Sequence, residues 1–140
     1  MTYLLDTVTL SELRKKSRAD PAVFSWQEKQ ADSACISVIT LNEIRFRILS
    51  VEKQDAVFAE HLKLWYREIF VARDLFTILP VELSVAEKAA NLRHAFKMSY
   101  NDALIAATAF CHQLTLATRN VSDFEQTGIP VINPWDYSKA

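Results

Sequence analysis

Five short apolar or β-rich runs, separated by longer segments with helical patterning, constrain the fold more than any other feature of this sequence. They occupy residues 3–6, 35–39, 77–81, 114–117 and 130–132. Runs of this length are typical of buried strands, and strands that alternate with helices predict a parallel sheet covered on both faces. Because strand crossovers are right-handed, we expect an α/β fold, a three-layer α/β/α sandwich with a central parallel sheet.

The composition is that of one domain that needs no cross-link to fold. A chain of 140 residues buries about two-thirds of its unfolded surface, so residues 1–140 are expected to form a single domain. Cys35 and Cys111 lack C-x-x-C spacing, which favours buried free thiols over a disulfide or zinc site. The apolar runs are too short to span a membrane, and Asp6 interrupts any signal peptide. A cytoplasmic protein is therefore expected.

Helix starts are predicted from capping signals. Four segments have the Ser/Thr-x-x-Glu/Asp spacing of a capping box: Thr9 to Glu12, Thr40 to Glu43, Ser84 to Glu87 and Ser99 to Asp102. Asn101 is a second possible cap beside Ser99. Pro21 is expected to start a helix that ends near Asp32, and residues 51–76 are expected to be helical. Pro80 predicts that the third strand lies at an edge of the sheet.

Four acids lie directly after strand-like runs or in the first turn of the following helix: Asp6, Glu43, Asp102 and Asp123. In an open α/β sheet, groups at the carboxyl ends of the strands converge where the strand order reverses. Four carboxylates in one cleft repel strongly unless protons or cations neutralise them. An all-oxygen set without Cys or His favours Mg²⁺ or Mn²⁺, and such a site suits phosphodiester hydrolysis.

Each of these acids also has a simpler explanation. Glu43 and Asp102 have capping-box spacing, and each taken alone is better explained as a helix cap. Asp123 can be a solvated loop acid. Asp6 ends an apolar run and has no capping role that is obvious from the sequence. Only the combination of the four favours a metal site.

The charge balance permits a phosphate-bearing substrate without demanding one. Setting the four acids aside leaves 13 Asp and Glu against 16 Lys and Arg, a balance of about +3. The basic cluster of Lys15, Lys16 and Arg18 is either a solvated helix end, favoured by the helix dipole, or a phosphate-contacting patch. The single glycine, Gly128, excludes a glycine-rich phosphate loop.

Several stretches match one known family in order and spacing. They are Y-L-L-D-T at 3–7, L-S-E-L-R-K at 10–15, I-S-V-I-T-L-N-E-I-R-F at 36–46, N-D-A-L-I-A-A-T-A at 101–109, L-T-L-A-T-R-N-V-S-D-F at 114–124 and N-P-W at 133–135. The sequence resembles the PIN-domain ribonucleases and, among them, the VapC-like toxins of bacterial toxin–antitoxin pairs. The resemblance covers nearly the whole chain and is weak over residues 51–76.

The resemblance implies a compact α/β/α fold and a set of site residues. Asp6, Glu43, Asp102 and Asp123 are then the catalytic metal ligands, with Mg²⁺ as the cofactor and Mn²⁺ as a substitute. Thr118 and Asn120 become polar supports around the acids. The residues expected to contact the RNA backbone are Arg14, Lys15, Arg45 and Arg119.

The resemblance also implies a function and partners. The chain is expected to be an endoribonuclease toxin that cleaves structured RNA, with tRNA as the foremost candidate, and so arrests growth. A homodimer is expected, together with an antitoxin protein whose segment blocks the cleft.

The sequence departs from the family pattern at three positions. Val8 stands where the family usually has Asn, and Asn42 and Arg47 stand where glycine is common. Losing that Asn removes a polar neighbour of Asp6. A second hypothesis therefore stays open, a weakly catalytic or non-catalytic PIN subunit that binds nucleic acid together with its antitoxin.

Overall fold

A five-stranded parallel sheet forms the centre of the protein. The computed structural model describes residues 2–30, 34–71 and 75–138. The strands are β1 (Tyr3–Leu5), β2 (Ala34–Ser37), β3 (Phe76–Leu79), β4 (Thr115–Ala117) and β5 (Val131–Ile132). Their order across the sheet is β3-β2-β1-β4-β5. The predicted parallel sheet is confirmed, and β3 lies at an edge, as Pro80 indicated.

Helices cover both faces of this sheet and complete the predicted three layers. They are α1 (Thr7–Leu13), α2 (Pro21–Lys29), α3 (Val38–Glu52), α4 (Ala56–Val71), α5 (Leu83–Phe96), α6 (Tyr100–Cys111) and α7 (Val121–Glu125). Buried apolar residues from each of α1 to α4 contribute to one cluster, and those from α5 to α7 contribute to a second. The α/β/α sandwich is therefore confirmed.

The central strand β1 contributes to both clusters. Leu4 pairs with Cys35 and Leu116, and all three pack on the side of α5 to α7. Leu5 pairs with Ile36 and Ala117 on the side of α1 to α4. Successive side chains of a strand point to opposite faces, so β1 is buried on both sides. The residue that follows β1 is consequently held at the centre of the sheet's carboxyl edge.

The predicted cap of the first helix is wrong. Helix α1 begins at Thr7, and its N-cap is Asp6, whose Oδ1 accepts a hydrogen bond from the backbone N–H of Thr9 at 2.8 Å. Glu12 instead accepts from the backbone N–H of Asp20 at 2.9 Å. A carboxylate at the N-cap satisfies an orphan N–H and faces the positive end of the helix dipole, which explains the earlier start.

The predicted cap of the third helix is also wrong. Helix α3 begins at Val38, because the Ser37 hydroxyl accepts from the backbone N–H of Ile39 at 3.0 Å. The second strand therefore ends two residues earlier than predicted. Thr40 is buried in the first turn, and Glu43 lies in the second. Glu43 is then not a capping acid.

The two remaining capping signals differ in outcome. Helix α5 begins at Leu83, and its cap residue Glu82 makes no side-chain capping bond, so the box predicted at Ser84 and Glu87 does not form. Ser99 does cap α6, since its hydroxyl accepts from the backbone N–H of Asp102 at 3.3 Å, whereas Asn101 lies inside the helix.

The segment predicted as one helix over residues 51–76 contains three elements. Helix α3 continues to Glu52, α4 runs from Ala56 to Val71, and Phe76 already lies in β3. The break follows Glu52, where the Asp55 carboxylate accepts from the backbone N–H of Phe58 at 3.0 Å. Helix α2 ends at Lys29, and Asp32 lies outside the described residues.

Two smaller expectations concern the thiols and the membrane. Cys35 and Cys111 are both free, the first buried and the second partly buried. In the described part of the chain, the helices are all too short or too polar to cross a membrane.

Candidate active site

The strand order places a crevice beside the carboxyl end of β1. The chain leaves β1 to build β2 and β3 on one side, and it returns to place β4 and β5 on the other. Helices on opposite faces of the sheet therefore begin after β1 and after β4, and ligands of α/β proteins bind at such a reversal. Asp6 follows β1 directly, and Thr118 follows β4.

Asp6 is held by donors from two elements. Its side chain is buried, with 6% of the residue exposed. Oδ1 accepts from the backbone N–H of Thr9, and Oδ2 accepts from the hydroxyl of Thr118 at 2.5 Å. The backbone N–H of Asp6 also donates to the carbonyl of Ala117 at 3.2 Å. The carboxylate thus fastens the first helix to the end of β4.

Threonines around Asp6 complete this connection. Thr9 donates its hydroxyl to the Ala117 carbonyl at 2.9 Å and is fully buried. The Thr118 hydroxyl accepts from the backbone N–H of Asn120 at 3.0 Å while it donates to Asp6. The Thr118 side chain therefore contacts Asp6 directly, and its supporting role in the chemistry stays a prediction. Asn120 contributes its backbone, and its side chain makes no capping bond at α7.

Glu43 is joined to the same region through Thr7. The Thr7 hydroxyl donates to Glu43 Oε1 at 2.6 Å, and it lies 3.3 Å from the hydroxyl of Thr40. Sequence reasoning gave Thr7 and Thr40 no role at the site. Thr7 directly follows Asp6, so its proximity to the acids was a signal available in the sequence. The first turn of α1 consequently contacts both Asp6 and the second turn of α3.

The pKa of Asp102 is raised by burial and by the other three acids. This residue lies in the first turn of α6, and burial raises the pKa of its carboxyl. A hydrogen bond with Ser99 lowers that pKa, while the charges of Glu43, Asp123 and Asp6 raise it further. Asp123 lies in the first turn of α7 and is exposed. The other three predicted acids therefore lie near enough to Asp102 for their charges to raise its pKa, and their joint role as a metal site stays a prediction.

The donor set fits a hard divalent cation by its chemistry. The described residues contain no group of three Asp, Glu, His or Cys side chains already assembled for a metal ion. The four acids nevertheless offer only oxygen ligands, which Mg²⁺ prefers. The repulsion that raises the Asp102 pKa is also what a bound cation would neutralise.

Comparison with known proteins identifies the family. The PIN domain family matches residues 3–129. The chain belongs to the PIN-domain family. It is similar to the VapC ribonuclease Y4jK of Sinorhizobium fredii, with 33% identity over 95% of this chain and 97% of that protein.

Solved structures agree with this assignment over nearly the whole PIN domain. FitAcB from Neisseria gonorrhoeae matches with a TM-score of 0.78 and 28% identity, covering 96% of this chain and 99% of that one. A toxin–antitoxin complex from Klebsiella pneumoniae matches with a TM-score of 0.69 and 31% identity, covering 94% and 97%.

The four predicted RNA contacts lie at different distances from the crevice of this PIN domain. Arg119 directly follows Thr118 and packs over Trp135, 5.2 Å from the ring centroid. Lys15 forms an ion pair with Glu12 at 3.1 Å. The Arg14 guanidinium lies over two aromatic rings of α4.

Arg45 lies on a different side of α3 from the acidic site. It is two residues beyond Glu43, which places it about 200° around the helix. There it lines a cavity of about 230 Å³ with Lys63, Tyr66 and Arg67. Contact between Arg45 and RNA in the crevice stays a prediction, and the geometry favours Arg119 for that role.

We predict that Asp102→Asn melts at or above the wild-type temperature at neutral pH in EDTA. A raised pKa means that the folded chain holds this proton more tightly than the unfolded chain. The corresponding stability is present at low pH and is lost as the pH rises through the raised pKa. Asparagine removes the repelling charge, so the difference from wild type should shrink below about pH 4. Thermal unfolding followed by circular dichroism across this pH range measures the effect.

Asp55→Asn is the matched control. Asp55 is an exposed acid that accepts the N–H of Phe58 at the start of α4. Losing its charge should cost about 0.3 to 1 kcal/mol through the helix dipole. If both variants lose stability alike at neutral pH, Asp102 is only a helix cap.

Proposed function

We propose that this PIN domain is a Mg²⁺-dependent endoribonuclease that acts as the toxin of a toxin–antitoxin pair. Its substrate would be structured RNA, with tRNA as the foremost candidate, and its cleavage would arrest growth. The observation that carries this proposal is the arrangement at the carboxyl end of β1, where Thr118 holds Asp6 and Thr7 holds Glu43 by hydrogen bonds. Asp102 lies near enough for the charges of the other acids to raise its pKa. Four acids on four different elements share one field at the sheet's reversal point. The similarity to the VapC ribonuclease Y4jK supports the choice of RNA.

Some residues of the crevice would hold the ion, and others would fix the orientation of the acids. Asp6, Glu43, Asp102 and Asp123 would hold Mg²⁺. When bound, the ion would supply a Lewis acid that polarises a phosphoryl oxygen and offsets developing charge. Thr118 and the N–H of Thr9 fix both oxygens of Asp6, and Thr7 fixes Glu43. These hydrogen bonds would limit the rotamer freedom that substrate binding otherwise has to remove.

We also propose an antitoxin partner and association of two copies. The similarity to a toxin–antitoxin complex from Klebsiella pneumoniae supports the partner. Apolar side chains on α3 and α4 are available for protein contacts, since Val57 is 71% exposed and Leu49 is 50% exposed. An antitoxin segment placed in the crevice would exclude RNA from the acids.

A second candidate function is a weakly catalytic PIN subunit that binds nucleic acid together with its antitoxin. Two observations favour it. In the described part of the chain, the acids do not form a ready metal-binding group of three. Val8 is 47% exposed on α1 and provides no polar group there. Cleavage by the purified chain separates the two candidates.

We predict that the purified chain cleaves structured RNA with Mg²⁺ or Mn²⁺ and stops in EDTA. Asp6→Asn should abolish cleavage, because the amide cannot supply the charge that attracts the ion. Asparagine is also a good N-cap, so the variant should stay folded, which its melting temperature checks. Gel analysis of labelled tRNA measures the products, with Asp55→Asn as an active control. Cleavage that continues in EDTA would contradict the metal mechanism.

We predict that Thr7→Val lowers cleavage roughly tenfold or more, because Glu43 loses the donor that aims it. Thr7→Ser keeps the hydroxyl and should recover most of the activity. Thr77→Val, at an exposed position of β3, is the matched control and should cleave like wild type. Initial rates on one RNA substrate provide the measurement. Equal rates for Thr7→Val and wild type would remove Thr7 from the site.

We predict that expressing the chain alone in bacteria arrests growth. Co-expression of the reading frame encoded beside it should restore growth, since that is where an antitoxin is expected. The Asp6→Asn variant should be harmless at equal expression. Growth curves and blots of the soluble protein measure both quantities. Unimpaired growth with folded wild-type protein would favour the weakly catalytic candidate.

A further inference from the structure

Arg14 at the end of α1 and Arg47 on α3 form a pair of basic residues away from the acidic crevice. At the crevice itself, the same two helices meet where Thr7 contacts Glu43. Arg14 follows Thr7 by seven positions, and Arg47 follows Glu43 by four. Both spacings return to the same face of a helix, so each arginine lies on the face that points to the acids.

The two arginines meet on one aromatic ring. The Cζ atoms of Arg14 and Arg47 lie 5.8 Å and 5.9 Å from the centroid of Phe58. Arg14 is also 5.9 Å from the Trp65 ring. Both guanidinium groups are near enough for the charge of Arg47 to lower the pKa of Arg14. Their contacts with the rings leave less side-chain freedom to be lost when a ligand binds.

The positive charge at this pair is not balanced within the described part of the chain. No carboxylate there forms an ion pair with either arginine. Glu12 acts weakly on Arg14, but it is bound to Lys15 and to the backbone N–H of Asp20. Burial lowers the pKa of Arg14 first, and the charges of Arg47 and Arg18 lower it further. Like charges held together in this way suit an anion with several acceptor oxygens.

We propose that Arg14 and Arg47 form a subsite for the phosphate backbone of a single RNA strand that leaves the acidic crevice along α1 and α3. This subsite rests on the proposed function, and it adds the path that the RNA strand takes beyond the crevice. Arg14 lies about 10 Å from Thr7 along the helix axis.

Two features favour RNA over an acidic protein segment. The arginine pair is continuous with the crevice in which the scissile phosphate would lie, and planar guanidinium groups match phosphate in bidentate geometry. Phe46 precedes Arg47 on α3 and is 71% exposed. An exposed ring beside a phosphate contact gives an unpaired base a surface on which to stack.

Binding of a labelled single-stranded RNA in EDTA tests the subsite without cleavage. Fluorescence anisotropy at several salt concentrations gives the affinity and its salt dependence. Arg47→Gln should weaken binding roughly tenfold at low salt. The slope of log affinity against log salt should fall by about 0.7, as one phosphate contact is lost. Arg47 is exposed, so its substitution should leave folding intact, and the double variant with Arg14→Gln should weaken binding further.

Arg93→Gln is the matched control, because Arg93 is also exposed and lies 4.6 Å over the ring of Tyr100, on the opposite layer. It should bind RNA like wild type. Equal affinities for Arg47→Gln and Arg93→Gln would overturn the subsite and leave the proposed function standing. A wild type that binds no RNA in EDTA would overturn the subsite, and cleavage of RNA with Mg²⁺ would then still decide the proposed function. Arg47-dependent binding without any cleavage in Mg²⁺ would overturn only the nuclease. RNA binding unchanged by Arg47→Gln, with weakened binding of a polyglutamate peptide, would assign the pair to an acidic protein segment instead.

Discussion

The carboxylate of Asp6 is the interaction on which the crevice depends. One oxygen caps α1 through the N–H of Thr9, and the other accepts the Thr118 hydroxyl at the end of β4. A buried carboxylate costs free energy unless donors compensate it, and here both oxygens are compensated. The same two bonds set the start of α1, and therefore the position of Thr7 relative to Glu43. The Asp6 side chain thus combines the cap of α1 with the proposed role at the site.

The sheet makes this arrangement possible by leaving β1 no exposed face. Leu4 and Leu5 are buried in opposite clusters, so the carboxyl end of β1 opens only toward the edge where the crevice lies. Acids arriving from α3, α6 and α7 approach Asp6 from both layers. The fold therefore places these charges near enough to raise the pKa of Asp102, and the proposed cation would offset that repulsion.

The fold could be predicted from sequence because alternating short apolar runs and helical segments are a long, redundant pattern. The site was predictable only as a set of acids, since sheet topology brings strand ends together without side-chain detail. Cap positions were less predictable, because Ser/Thr-x-x-Glu spacing is local and a better cap nearby overrides it. Ser37 did so for α3, which moved Glu43 into the second turn. The contact between Thr7 and Glu43 was not predicted, because the two residues are 36 positions apart in sequence.

Asp102 shows how stability and the proposed chemistry oppose each other at one residue. As a first-turn acid next to Ser99, it gains from the helix dipole and from a hydrogen bond. Burial and three neighbouring charges work against its ionised form. In the absence of a bound ion, a neutral side chain at this first-turn position would avoid that cost. An acid at this position is explained if the proposed cation binds there. The bound cation would offset the repulsion, so that all four carboxylates could be ionised together.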